Sequence, residues 1–249
     1  MKRFQGKDII ITGTSKGIGK ALAAYFSEEG ARVVATARSE TEHTAENICF
    51  VQADIKEREK ILNKASDFFG KTPDILINNA GIICYEKLID ATEEELLSVF
   101  QTNVIQTLLL SQSFARKWIA KKQRGVIVNT LSFAVTIPSV GSGIYAASKS
   151  ALASLTRTMA AEWAPYGIRV NGYSPGVVET DMTKPAIEKN KASMVDAIAL
   201  HEIASVEQMT KIVGFLASGD SAYLAGVNLD ASGGKYIVQN AGAAWGEAE

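Results

Sequence analysis

Alternation is the feature that most limits how this chain can fold. Short runs of consecutive apolar residues are separated, from one end to the other, by longer stretches with helical spacing. "KDIIIT" (7–12), "ARVVATA" (31–37), "ICFVQAD" (48–54), "PDILINNAG" (73–81), "GVIVNTLS" (125–132), "GIRVNGYSPG" (167–176) and "AGVNLDASGG" (225–234) read as strands. Helical patterns cover about 17–29, 56–69, 92–121, 143–164 and 206–217. A strand that is apolar at every position has both faces buried, the mark of a parallel sheet covered by helices on both sides. The pattern predicts an α/β fold, one doubly wound parallel sheet of about seven strands in a single domain over 1–249. "RSETEHTAEN", between strands two and three, is too short and polar for a full helix, so that crossover is abbreviated. Residues 179–204 combine weak periodicity with several charges and read as a lid over a site, and 240–249 as a tail.

Composition narrows the partners. Twenty-six basic residues against 27 acidic ones leave a formal net charge of -1. That balance gives no bulk attraction to nucleic acid or to an anionic membrane. The apolar runs are too short to span a bilayer, and "MKRFQGKDIIITGTSKG" has no secretory apolar core. Cys49 and Cys84 suggest small apolar fillers rather than a disulfide framework. The expectation is a cytoplasmic enzyme or binding protein for a small molecule, with no metal.

The first strand turns into a helix through "ITGTSKGIGKAL", with glycines at 13, 17 and 19. Such a turn lets backbone N–H groups approach phosphates at the positive end of a helix. The spacing differs from the Gly-x-Gly-x-x-Gly fingerprint of dinucleotide folds. A P-loop is excluded, because Gly19-Lys20 is followed by Ala21 and Thr14 stands where its first glycine belongs. "GTSKG" also matches a hydrolase nucleophile elbow on Ser15, which would need a later histidine; His201 is the one available.

Further motifs fall at the C-terminal ends of successive strands, where open α/β sheets bind ligands. They are Arg38, Asp54, "NNAG" (78–81), Ser132 and "SPG" (174–176), joined by Tyr145-x-x-x-Lys149 on a helix and Asn103 on the helix before it. Tyr145 and Lys149 share one helical face. Together these motifs resemble the short-chain dehydrogenase/reductase family over nearly the whole chain, with members like the 3-oxoacyl-(acyl-carrier-protein) reductases among the nearer patterns. The resemblance implies a Rossmann-like sheet and an NAD(P)(H)-dependent oxidoreductase interconverting a ketone and a secondary alcohol. By the same resemblance Tyr145 is the general acid/base, Ser132 binds the substrate oxygen, Lys149 holds the nicotinamide ribose and Asn103 supports a water relay to Lys149. A free phenol titrates near 10, and a neighbouring cation lowers such a value, so Lys149 is expected to bring Tyr145 toward neutrality. A catalytically silent nucleotide-binding regulator is the competing reading within the family.

The carry-over extends to the cofactor. Gly13, Ser15, Lys16, Gly17, Ile18 and Gly19 would surround the pyrophosphate, Asp54 and Ile55 the adenine, and Asn79, Ala80 and Gly81 its ribose. Tyr145, Lys149, Pro175, Gly176, Val178 and Thr180 would line the nicotinamide half. Strand two ends with Ala37 where an acid would bind the NAD ribose, followed by Arg38, and Lys16 adds a second positive charge. NADP is favoured, with NAD as the second choice. Asp54 also precedes "IKEREK" and reads as a helix N-cap as well.

Tyr85, Ser132, Phe133 and Val177 are the expected substrate contacts. They are largely apolar or aromatic, which suits an acyl, alicyclic or aromatic carbonyl. No cation for a substrate carboxylate or phosphate stands beside the catalytic motifs in sequence; Lys184 and Lys189 in the lid are the nearest candidates. The basic run "RKWIAKKQR" (116–124) offers one meeting place for an acidic carrier protein but reads as a solvated helix end. "LDASGG" carries extra residues relative to the family's usual strand end. The long helices 92–121 and 143–164 pair subunits in the family, which implies a homotetramer.

Overall fold

The computed structural model describes residues 2–181, 183–235 and 237–246. Met182 of the expected lid and residues 247–249 of the expected tail lie outside the described residues. Seven strands form one sheet: β1 (Asp8–Thr12), β2 (Arg32–Ala37), β3 (Ile48–Gln52), β4 (Ile75–Asn78), β5 (Gly125–Thr130), β6 (Ile168–Pro175) and β7 (Asn228–Ala231). Their order is β3-β2-β1-β4-β5-β6-β7, and every pairing is parallel. This is the expected Rossmann-like, doubly wound sheet. Strand order reverses between β1 and β4, so the loops after these two strands diverge and leave a crevice at their C-terminal ends.

The continuous apolar strands explain the layers. Along β1, Ile9 and Ile11 face one side and Ile10 the other, and all three are fully buried. The Ile9 side is covered by α1 (Gly17–Glu28) and α7 (Val206–Ala217) through Leu22, Phe26, Val213 and Leu216. The Ile10 side is covered by α2 (Arg58–Phe69), α4 (Thr107–Ala120) and α5 (Gly143–Trp163) through Ile61, Phe114, Trp118 and Met159. Burial of one such side chain contributes about 1.5–3 kcal/mol. A one-residue slip of a strand would exchange the two layers, so packing sets the register.

The connection between β2 and β3 contains no helix, as its sequence predicts. Asn47 ties it down, donating to the carbonyls of Ser27 and Ala31 and accepting from the Ser27 hydroxyl. The segment expected as one helix over 92–121 starts at a capping box of Thr92 with Glu95, runs as α3 (Glu93–Phe100), passes through a π-helical stretch at Gln101–Gln106 and continues as α4. Extra residues of this kind inside a helix re-aim side chains and often mark functional positions. The expected lid contains a helix, α6 (Lys184–Asp196), broken at Asn190. Its weak periodicity has a simple cause: Ile187 is its one buried side chain among the described residues.

The tail also has structure. Ala241–Ala244 forms a single tight turn, and the Trp245 indole donates to the Ala199 carbonyl at 3.0 Å, beyond the end of α6. The basic run 116–124 closes α4 at the other end of the molecule. There the Gln123 amide donates to the carbonyls of Thr72 and Pro73, just before β4 begins. The run therefore lies at the N-terminal edge of the sheet, away from the crevice.

Candidate functional site

A cleft of about 780 Å³ opens over the C-terminal ends of the strands. This lies in the upper part of the usual range for small-molecule sites, roughly 300–1,000 Å³. Its floor at the switch point is a clamp between two turns. Thr12 Oγ1 accepts from the N–H groups of Asn79 and Ala80, and the Asn79 amide donates to the carbonyls of Thr12 and Gly13 at 3.2 and 3.1 Å. The clamp is possible because the turn is glycine. A Cβ on Gly13, whose φ is +73°, would sit 2.7 Å from Ala80 Cα, and one on Gly19 would sit 2.0 Å from the Gly13 carbonyl oxygen.

The start of α1 carries no side-chain cap, since Lys16 holds the N-cap position in an extended conformation without a capping bond. Its N-terminus thus presents uncapped N–H groups and positive potential to the cleft. Lys16 and Arg38 are exposed and line the same half, and Ala37 is buried at the end of β2 with no acid in its place. Thr14 Oγ1, fully buried beside this turn, has no hydrogen-bond partner. An uncapped helix start, a turn without Cβ atoms, two cations and an orphaned hydroxyl fit an anionic dinucleotide. Asp54 lines the cleft, but it caps a turn, accepting from the Lys56 N–H at 2.9 Å; the N-cap of α2 is Glu57.

The other half of the cleft holds the polar group of the helix α5. Ser132 follows β5 and is buried, with its oxygen accepting the Ala134 N–H at 3.2 Å and its carbonyl accepting from the Ser174 hydroxyl. Tyr145 and Lys149 stand one turn apart on α5, the Lys149 ammonium 5.8 Å from the Tyr145 ring centroid. Burial raises the Tyr145 phenol, its hydrogen bond with Ser132 works against that rise, and the neighbouring Tyr85 adds to it. The expected lowering by Lys149 therefore does not prevail in the protein without cofactor. Lys149 is itself buried, its ammonium pushed down to about 8 by desolvation and donating to the Thr130 carbonyl at 2.7 Å. Its charge goes to the end of β5 and toward the ring face.

Asn103 occupies the π-helical stretch and is fully buried behind the cleft rather than in its wall. Its amide donates to the Ile82 carbonyl at 2.9 Å and the Ser148 hydroxyl at 3.0 Å, and its oxygen accepts the Ile82 N–H at 2.9 Å. These bonds fix the strand-end segment that begins at Gly81. A Cβ on Gly81 would come within 3.3 Å of both Asn103 Oδ1 and Lys149 Nζ, so that segment passes close over the buried pair.

Ser15, Gly17, Ile18, Ile55, Asn79, Ala80, Gly81, Tyr85, Phe133, Pro175, Gly176, Val177, Val178 and Thr180 all line the cleft. Sequence reasoning missed Lys235, which lines it too, half-buried, with its ammonium 4.9 Å from the Phe133 ring centroid. The candidates Lys184 and Lys189 do not line it; α6 contributes Ala186 and Met194. Nothing local in "SGGKY" signals this, because Lys235 arrives only through the pairing of β7 with β6. The histidine that a Ser15 hydrolase would need is elsewhere: His201 packs on Trp245, ring centroids 4.8 Å apart, and does not line the cleft.

Comparison with known proteins agrees with this geometry. The short chain dehydrogenase family model matches residues 7–191. A 3-oxoacyl-[acyl-carrier-protein] reductase of Vibrio cholerae is 34% identical over 244 residues, covering 94% of this chain and 99% of the relative. A 4-hydroxyisoleucine dehydrogenase mutant complexed with NADH and succinate superposes with a TM-score of 0.88 at 30% identity, over 94% of this chain and 100% of that one. A dehydrogenase structure from Agrobacterium tumefaciens with bound NADP gives a TM-score of 0.85 at 28% identity, over 96% of this chain and 100% of that one. With the family model covering most of its length, the chain belongs to the short-chain dehydrogenase family of NAD(P)-dependent oxidoreductases, which act on hydroxyl and carbonyl groups.

Proposed function

We propose that the chain is an NADP(H)-preferring enzyme interconverting a ketone and a secondary alcohol, and that 1–249 works as one catalytic unit. The observation that carries this reading is the convergence of Ser132, Tyr145 and Lys149 on one wall of a cleft whose other half is built for a dinucleotide. Bound NADP(H) would supply or accept the hydride. Ser132, whose oxygen accepts the Ala134 N–H and whose hydroxyl is hydrogen-bonded with Tyr145, would turn that hydroxyl to a substrate oxygen held between the two. Tyr145, raised by burial, is protonated at neutral pH and is therefore a proton donor for carbonyl reduction. Lys149 holds the ribose once its ammonium leaves the Thr130 carbonyl. Asn103 acts as a positioning residue through Ile82.

Arg38 and Lys16, with Ala37 in place of an acid, support NADP over NAD. A homotetramer follows by analogy with the family, and the outer face of α4 and α5 offers it a groove lined by Leu108, Ile119, Leu155 and Trp163 together with Arg116 and Glu162. A cytoplasmic location fits this type of chemistry, and no described helix is long and apolar enough to cross a membrane. Reduction of a 3-oxoacyl thioester is the second reading, favoured by the Vibrio cholerae relative. The basic run 116–124 gives it no support, since it lies at the far edge of the sheet. The silent-regulator reading is disfavoured by the intact polar group around Tyr145.

The test is nicotinamide oxidation by the purified protein with NADPH and NADH in parallel, over 3-oxoacyl thioesters, cyclic and aromatic ketones, oxo acids and ketosugars. Faster turnover with NADPH, reversed in Arg38→Asp, is expected. Equal use of both cofactors by that variant and the parent would defeat the 2′-phosphate argument. Cofactor binding with no turnover of any carbonyl would revive the regulator.

A further inference from the structure

Two hydroxyls on α5 each receive an asparagine amide. Ser148 Oγ accepts from Asn103 Nδ2 at 3.0 Å and donates to the Tyr145 carbonyl at 2.7 Å. Thr156 Oγ1, about two turns further along, accepts from Asn129 Nδ2 at 2.9 Å and donates to the Leu152 carbonyl at 2.7 Å. Both side chains are buried, and neither lines the cleft. A buried helix hydroxyl that bonds back to its own backbone is usually a local matter of hydrogen-bond satisfaction. The two differ in what their asparagine holds. Asn129 lies within β5, and its oxygen accepts from the Asn78 amide at 2.8 Å, inside the layer between sheet and helices. Asn103 grips a segment of the cleft wall.

That segment joins the two halves of the site. Asn79 and Ala80 close on the glycine turn of the dinucleotide half through Thr12, and Gly81 and Ile82 follow directly. Asn103 takes the Ile82 N–H on its oxygen and gives one amide proton to the Ile82 carbonyl, both at 2.9 Å. Its second amide proton goes to Ser148, whose own proton goes on to the backbone of Tyr145. Gly81 passes so close that a Cβ on it would lie 3.3 Å from both Asn103 Oδ1 and Lys149 Nζ. One hydroxyl thus connects the turn on the cofactor side with the turn of α5 that carries Tyr145 and Lys149. A second tie lies at the outer rim, where Glu86 bridges Ser142 and Leu88 covers Gly143. It is the weaker one, because Leu88 is largely exposed.

We infer that Ser148 is a positioning residue for the reaction: through Asn103 it holds the catalytic turn of α5 in register with the Gly81–Ile82 segment, and so sets the approach of Tyr145 to a carbonyl placed against the cofactor. The inference rests on the reading of Tyr145 as proton donor beside a bound dinucleotide. In that reading the carbonyl oxygen is served from α5 and the carbonyl carbon from the other half of the cleft, so both halves must be correctly spaced at once. A misplacement of about 1 Å can cost about a hundredfold in rate. Without Ser148 Oγ a fully buried Asn103 N–H loses its acceptor, and the carboxamide gains by moving toward another. Any such movement carries Ile82 with it and releases the Tyr145 backbone. Thr156 has the same bonding pattern without a link to the cleft wall, which makes it the internal control.

Ser148→Ala and Thr156→Val each delete one hydroxyl that serves an asparagine amide, so both should lower the melting temperature by a few degrees. They are compared with the parent in NADPH-dependent reduction of cyclohexanone, acetophenone or the N-acetylcysteamine thioester of 3-oxobutanoate, whichever the parent turns over fastest. Ser148→Ala should lower kcat about 10–100-fold and leave KM and NADPH affinity within about twofold. With NADPH deuterated at the transferred hydrogen, its isotope effect on kcat should be at least as large as the parent's, because hydride transfer has become the slow step. Thr156→Val should keep the parental kcat. A parental kcat in Ser148→Ala, an equal fall in both variants, or an isotope effect that drops toward one would overturn the inference. A second readout needs no turnover: amide hydrogen exchange in a peptide spanning 79–85 should be about tenfold faster in Ser148→Ala and parental in Thr156→Val. Unchanged exchange there also overturns the inference. Faster exchange combined with no turnover of any ketone by the parent leaves Ser148 as the joint between the two segments and refutes the catalytic reading instead.

Discussion

The two ends of the sheet treat their polar groups differently. At the N-terminal end Asp8, almost fully buried, is ion-paired to Arg32 at 2.8 Å and to Lys71 at 3.1 Å. Arg32 also donates to the carbonyls of Phe68 and Phe69 and lies over both rings, and the Trp118 indole donates to the Pro73 carbonyl at 2.7 Å. At the C-terminal end, Thr14 Oγ1, Asn78 Oδ1 and Ser232 Oγ are buried without partners, and a lysine is buried against a neutral carbonyl. Unmet polar groups cost stability and are rare in native interiors. One end is therefore organised to hold the fold together. The other keeps donors and acceptors ready for a ligand, at a loss of stability that the first end offsets.

The largest test of that division is Tyr145→Phe. Deleting one hydroxyl from a general acid should lower kcat by about 10²–10⁴-fold. NADPH affinity and melting temperature should hardly change, because the ring keeps its packing and only the hydrogen bond with Ser132 is lost. Titration of NADPH fluorescence beside steady-state kinetics separates the two quantities. Turnover at the parent rate would remove Tyr145 from the chemistry.

What could be read in advance follows the same division. Continuous burial of the strands leaves an apolar signature, so all seven were legible, as were the glycine turn and the Tyr145–Lys149 spacing. The missing items depend on tertiary contact. The π-helical stretch around Asn103 has no sequence mark, because it is stabilised by bonds to Ile82 and Ser148 on other elements. Lys235 is remote from Tyr145 in sequence and reaches the cleft only because β7 adds to the edge of β6. Helix α6 gave weak periodicity because it buries little. The sign of the Tyr145 shift was misjudged for a related reason: spacing shows that a cation is one turn away, whereas burial, which outweighs it, is a property of the folded site.

An intermediate effect is expected at the opposite end. Asp8→Ala would leave Arg32 and Lys71 without their shared carboxylate. Both cations are partly exposed and can rehydrate, so the loss should be about 1–3 kcal/mol rather than the larger figure for a fully buried pair. For a chain of this size each kcal/mol lowers the melting temperature by about 2–4 °C. The kcat should not move. Thermal melts and kinetics on the same sample decide the matter, and a fall in kcat matching the fall in stability would show that the two ends are not separate.

The smallest effect concerns Lys149 and pH. Burial brings its ammonium down to about 8 in the cofactor-free protein, below its ordinary 10.5. Between those values the unfolded chain holds more protons than the folded one, so this group makes stability rise with pH. Its cost is full below about 8 and fades toward 10.5. Lys149→Met removes the cost while keeping most of the side-chain volume. The variant should therefore melt a few degrees above the parent near pH 7, and the gap should narrow to about half or less as the pH rises to about 9.5. Tyr145, raised above its ordinary 10 by burial, stays protonated over this range and adds little to the difference. A gap that is absent near pH 7, or that stays constant with pH, would mean that the buried ammonium is not the source of instability at the ligand end, and the contrast between the two ends would then rest on the orphaned oxygens of Thr14, Asn78 and Ser232 alone.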